Sequence, residues 1–215
     1  ISNDGWKVKS LIVILFLFFF LKQTHSENII DDELYYSEGV DYYKNGNFDE
    51  SFIIFFNLSQ KDNADAIYNV SNMLFEGIGT TQDYLESLKY TWLCSLNGNR
   101  KCLDKIDVLK NKVDEKEFLN VSKNIVNILE KKFVNTLDYI YAFKLGYWFE
   151  KISPESNLEK SYLWYSVSVS GGIYKAMKLR DRVADKLDKD VIHKIQKEAN
   201  EIHTKEKYFS RKGEK

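Results

Sequence analysis

The chain has 215 residues, of which 29% are charged, 44% hydrophobic and 15% aromatic, and its 31 lysines and arginines nearly balance 32 acids. That composition excludes a disordered or collagen-like chain. One proline, ten glycines and two cysteines are too few for a turn-rich β-sandwich or a disulfide-dense scaffold, so long helices are predicted.

At the N-terminal end, Lys7 and Lys9 precede an apolar run, Leu11 to Leu21, followed by Lys22-Gln23-Thr24-His25-Ser26. The order basic, apolar, polar with small residues predicts a secretory signal peptide over 1–26, cleaved near Ser26. A retained membrane anchor is the alternative, but eleven apolar residues rise only about 17 Å against a roughly 30 Å hydrocarbon core. Without that segment 28 bases face 31 acids, and the charge is polarised. Residues 27–60 hold eight acids and only Lys44, whereas 174–215 hold thirteen bases against eight acids. Such runs are ordinarily solvated helix faces; contact of the basic end with an anionic lipid or polymer is the sharper reading. Nucleic acid is not an expected partner, and the membrane is expected to be met only in transit, through the signal segment.

Next in the chain, Tyr35, Gly39, Tyr42, Gly46, Phe48, Ser51 and Phe55 resemble a tetratricopeptide hairpin over 34–60, with Asn45-Gly46-Asn47 as its turn. From there the chain is duplicated at an offset of 74 residues: Ser87 matches Ser161, Tyr90 Trp164, Gly98 Gly172, Cys102 Ala176, Asp107 Asp181, and Val113-Asp114 Leu187-Asp188. A self-similar period of this kind is the signature of stacked supersecondary units. In the first copy Ala66, Val70 and Leu74, then Leu85, Leu88, Trp92 and Leu96, fall at helical spacing around Gly77-Ile78-Gly79 and stop at Asn97-Gly98. That pattern predicts helix, tight glycine turn, helix, stop. Gly77, Gly98 and Gly172 are expected at positive φ, where a Cβ is strained, and Asp83 and Asp114 at helix starts, where an acid or a capping side chain is favoured. A further helical pair follows each hairpin: 102–110 then 115–132, and 176–186 then 190–206.

The run Ala66, Val70-Ser71, Leu74, Gly77-x-Gly79, Asp83, Ser87, Tyr90, Cys94-Ser95, Gly98 resembles the Sel-one-like repeat, a helical-hairpin relative of the tetratricopeptide repeat. In the second copy Leu145-Gly146, Phe149, Lys160-Ser161, Trp164-Tyr165 and Gly172 match that pattern, while Ile152 and Pro154 stand where it has Gly-x-Gly. The resemblance implies an all-α, right-handed superhelical stack of hairpins with about ten helices. It places one helical-repeat domain over 27–208, with modules at 34–60, 63–132 and 135–208 and a disordered tail at 209–215.

Carrying over the groove-facing positions of that family implies a concave binding surface of Tyr36, Val40 and Tyr43, then Tyr68, Asn72 and Phe75, then Phe143, Tyr147 and Glu150. Aromatic side chains join large contact area to few rotamers, which suits capture of an extended peptide or a glycan. In the competing reading each of them packs the core. Cys94 and Cys102 stand where the second copy has Ser168 and Ala176. The cysteine-rich exported branch of the resembled family bridges that spacing, which implies a disulfide here; two free core thiols are the alternative.

An enzyme is not expected. His193 and His203 are ten residues apart, about 15 Å along one helix, and both read as surface residues. No Ser/His/Asp order, phosphate-binding loop or dinucleotide fingerprint is present. A cell-wall or β-lactam hydrolase is the runner-up, opposed by the missing nucleophile and base, and a membrane-tethered scaffold is a third reading. Three Asn-x-Ser sequons, at Asn57, Asn69 and Asn120, matter only in a eukaryotic secretory pathway. No cofactor or metal is expected, the partner is an unspecified protein or peptide, and the location is periplasmic or secreted.

Overall fold

The computed structural model describes residues 31–212, with side chains to residue 205; the signal-peptide reading falls on residues outside that range. Among the described residues the fold is all-α, without a strand. The chain divides into two compact units, one ending at Gln82 and the other starting at Asp83.

The first unit contains α1 (31–44), α2 (Phe48–Gln60) and α3 (Ala64–Glu76). The second contains α4 (Tyr84–Leu96), α5 (Arg100–Lys110), α6 (Glu115–Thr136), α7 (Ile140–Tyr147), a π-turn (Trp148–Ile152), α8 (Leu158–Ser170), a 3₁₀ turn (Tyr174–Ala176), α9 (Met177–Ala184) and α10 (Lys189–Lys212). The duplication is visible helix by helix. Starts at 84, 100 and 115 return at 158, 174 and 189, each 74 residues later. Helix α10 runs to Lys212, beyond the 208 boundary at which the sequence reading sets a disordered tail.

Local chemistry accounts for where these helices begin and end. Asn63, Asp83, Asn99, Asp114 and Asn157 each cap a helix N-terminus with a side-chain oxygen on a first-turn N–H, satisfying donors that the helix cannot. Helix ends repeat one device, in which a residue of positive φ lets two N–H groups turn back onto the last carbonyls. Gly98 N–H bonds to Ser95 O and Asn99 N–H to Cys94 O; Gly172 and Ile173 do the same to Val169 and Ser168, and Gly46 and Asn47 to Tyr43 and Tyr42. Gly46, Gly98 and Gly172 have φ of 82°, 87° and 94°. The same turn closes α2, but there Asp62 takes the left-handed position at φ 62°, and Leu137 takes one at φ 53° after α6. Neither residue advertises a left-handed turn as glycine does.

The first unit packs α2 against α3 around Ile54, Phe55, Leu58, Ile67, Val70 and Met73. Ser51 Oγ donates to the Gly39 carbonyl at 2.8 Å, drawing α2 onto α1 where no Cβ intervenes. Gly79, at φ 67°, sits so close to the Phe48 carbonyl that a Cβ has no room. The second unit repeats the serine device, with Ser161 Oγ donating to Gly146 O at 2.9 Å. Its core is aromatic: Trp92 meets Phe118 and Trp148 edge-on with ring centroids at 5.0 and 5.4 Å, and Phe133 meets Trp164 at 5.8 Å. Offset and edge-on arrangements are those the ring quadrupole favours. None of the described helices is long and apolar enough to cross a membrane.

Candidate functional site

In the first unit α1, α2 and α3 enclose an open cavity of about 380 Å³. Tyr36, Val40 and Tyr43 reach it from α1 at helical spacing i, i+4, i+7; Asn69, Asn72, Met73 and Glu76 reach it from α3 at i, i+3, i+4, i+7; Phe55 supplies the floor. Four of the groove residues read from the sequence, Tyr36, Val40, Tyr43 and Asn72, are thus brought together. Tyr68 and Phe75 are not among its lining residues: they lie half-buried on α3, one position to the side of the stripe that faces the cavity. A one-residue difference in register turns a side chain by about 100° on a helix.

The cavity wall is held by its own contacts. Tyr36 packs on Phe55 with ring centroids 5.3 Å apart, and its hydroxyl accepts a hydrogen bond from Asn69 Nδ2 at 3.0 Å. Burial pushes the Tyr36 hydroxyl above the ordinary phenol range, the Asn69 bond opposes this and the charge of Asp65 adds to it. Tyr36 therefore stays neutral near pH 7 and acts as a polar aromatic wall. Tyr43 is 41% exposed at the rim, braced edge-on by Phe48 at 5.1 Å. Lys44 also lines the rim, with Nζ 3.5 Å from Asp41.

In the second unit Phe143 and Tyr147 stack in parallel, with centroids 6.4 Å apart and planes 7° apart. Lys175 Nζ lies 4.3 Å from the Phe143 centroid. The third groove position, Glu150, departs from expectation. Its side chain is only 3% exposed, and it accepts from Arg182 at 2.7 Å and from the Tyr165 hydroxyl at 3.0 Å. The cause is the π-turn, in which Ser153 N–H reaches back five residues to Trp148 O and turns Glu150 inward where the first copy has a glycine turn. Burial and the adjacent carboxylate raise the Tyr165 hydroxyl far above the usual range, so it remains a hydrogen-bond donor.

Cys94 and Cys102 are joined in a disulfide, with Cα atoms 6.0 Å apart and both residues fully buried. His193 is exposed as expected, but His203 is half-buried, with Nδ1 3.1 Å from the Tyr139 hydroxyl. That correction reflects a contact across 64 residues, which no local pattern announces. Among the described residues no group of three His, Cys, Asp or Glu side chains is placed to hold a metal ion.

No family model matches the chain, and no curated protein matches it. Among solved structures it is similar to a Sel1 repeat protein from Oxalobacter formigenes, at 19% identity over 69% of this chain, with a TM-score of 0.37. The match spans 62% of that protein's length.

Proposed function

We propose that the protein is an exported, non-enzymatic helical-repeat scaffold that binds an extended peptide segment of a partner protein in the aromatic cavity of α1, α2 and α3. The observation that carries this reading is the convergence of Tyr36, Tyr43 and Phe55 with the amides of Asn69 and Asn72 on one open cavity. Aromatic walls give contact area, and an amide offers both a donor and an acceptor to a peptide backbone. Repeat scaffolds present such surfaces because each hairpin buries one face on its neighbour and leaves the other open.

Export to an oxidising compartment is part of the proposal, supported by the buried Cys94–Cys102 disulfide, a bond that persists outside reducing cytosol. N-terminal sequencing of exported protein should begin near Glu27. Panning a displayed library of extended peptides tests the binding reading. Peptides enriched on the wild type should bind Tyr43→Ala/Asn72→Ala at least tenfold more weakly while thermal unfolding is unchanged. Equal binding by the double variant would place the partner elsewhere.

A further inference from the structure

The first unit is unusually acidic. Residues 31–82 carry ten acids against two lysines, and both lysines are already paired, Lys61 with Asp32 at 2.6 Å and Lys44 with Asp41 at 3.5 Å. A surplus of one sign around a concave, partly apolar site raises the local concentration of the opposite charge and steers it inward. The wall is a set of aromatic rings, Tyr36, Tyr43 and Phe55, with the Glu76 carboxylate at the edge. Ring faces attract cations through their quadrupole, most of all a flat guanidinium that can also stack.

The second unit shows what the chain itself places on aromatic groove positions. There Lys175 covers the face of Phe143 at 4.3 Å, and Arg182 binds Glu150 at 2.7 Å. The cavity of the first unit offers the same two components, rings and a carboxylate, around about 380 Å³ of open space. We propose that this cavity takes the side chain of an arginine within an extended basic peptide, with the guanidinium stacked on the tyrosines and paired with Glu76. This rests on the peptide-binding reading above and names its ligand class. Lys44 at the rim acts against it, so the two charged rim residues should have opposite effects.

The test uses the full chain and fluorescence anisotropy with three nine-residue peptides identical except at the central position, which is arginine, citrulline or leucine. The arginine peptide should bind at least tenfold tighter than the citrulline peptide, which keeps the shape and removes the charge. Glu76→Gln should shrink that ratio at least threefold and Lys44→Ala should widen it; both residues are exposed, so folding is kept, as circular dichroism would show. Raising the salt should weaken the arginine peptide more than the citrulline and leucine peptides. Tightest binding by the leucine peptide would overturn the arginine assignment and leave the peptide-binding reading standing. Failure of all three to bind would defeat both. Concentration-dependent self-association lost in Glu76→Gln would assign the cavity to the basic helix of a second copy and overturn the free-peptide assignment.

Discussion

The α4–α5 and α8–α9 corners are the same turn built twice, 74 residues apart, and they are locked by different means. Each ends its first helix with a positive-φ glycine and the same pair of returning backbone hydrogen bonds. In the first, Cys94 and Cys102 close the corner covalently. In the second, Ser168 and Ala176 occupy those positions; Ser168 Oγ donates to Tyr139 O at 3.2 Å, and Gly171 lies flat against the Tyr139 ring. Tyr139 in turn holds α10 through His203. The backbone geometry therefore does not depend on the disulfide. It follows from the helix periods and the glycine turn, and the lock determines only how firmly the corner is held and to what.

The largest expected effect tests that division. Cys94→Ala/Cys102→Ala should lower stability by about 2–5 kcal/mol, about 2.5 kcal/mol of it from loop entropy regained by the unfolded chain. Hydrogen exchange should quicken in α4 and α5 and leave α8 and α9 protected. Quickening of both corners alike would show that they unfold as one. Next, Gly171→Ala sets a methyl group into the Tyr139 ring and should cost about 1–3 kcal/mol by overpacking, measured by urea titration; no loss would mean the ring swings aside freely. Ser168→Ala leaves the Tyr139 carbonyl without that donor and should cost about 1 kcal/mol, well below the loss at the cysteine pair. Gly98→Ala has open space around its Cβ and only an unfavourable φ of 87°, so about 1 kcal/mol is expected. A much larger loss would point to a contact that the open corner does not have. The smallest change should be a gain: Asp62→Gly relieves φ 62° and should raise stability by up to about 1 kcal/mol, partly offset by the freer unfolded chain.

Much of this architecture was legible residue by residue. Asp83 and Asp114 mark helix starts and cap them. Gly77, Gly98 and Gly172 mark turns and adopt positive φ. Val113-Asp114 and Leu187-Asp188 break their helices at equivalent places. Asp62 and Leu137 were not legible as left-handed residues, because neither carries glycine's freedom and a residue with a Cβ takes a left-handed φ uncommonly. The cavity was legible from α1, where Tyr36, Val40 and Tyr43 fall on one stripe, and half-legible from α3, where Asn72 lies on the lining stripe and Tyr68 and Phe75 beside it.

The sequence by itself determined the helices, the ends marked by capping residues and glycine turns, and the 74-residue duplication, since capping, glycine turns and apolar period act within a few residues of one another. Tertiary structure decided which way each helix is rotated about its axis, and with it which aromatics face open space. It also decided the inward turn of Glu150 onto Arg182 and Tyr165, and the pairing of His203 with Tyr139. These depend on distant surfaces fitting together, and a helix can be rotated by one residue without any change to the local rules that form it.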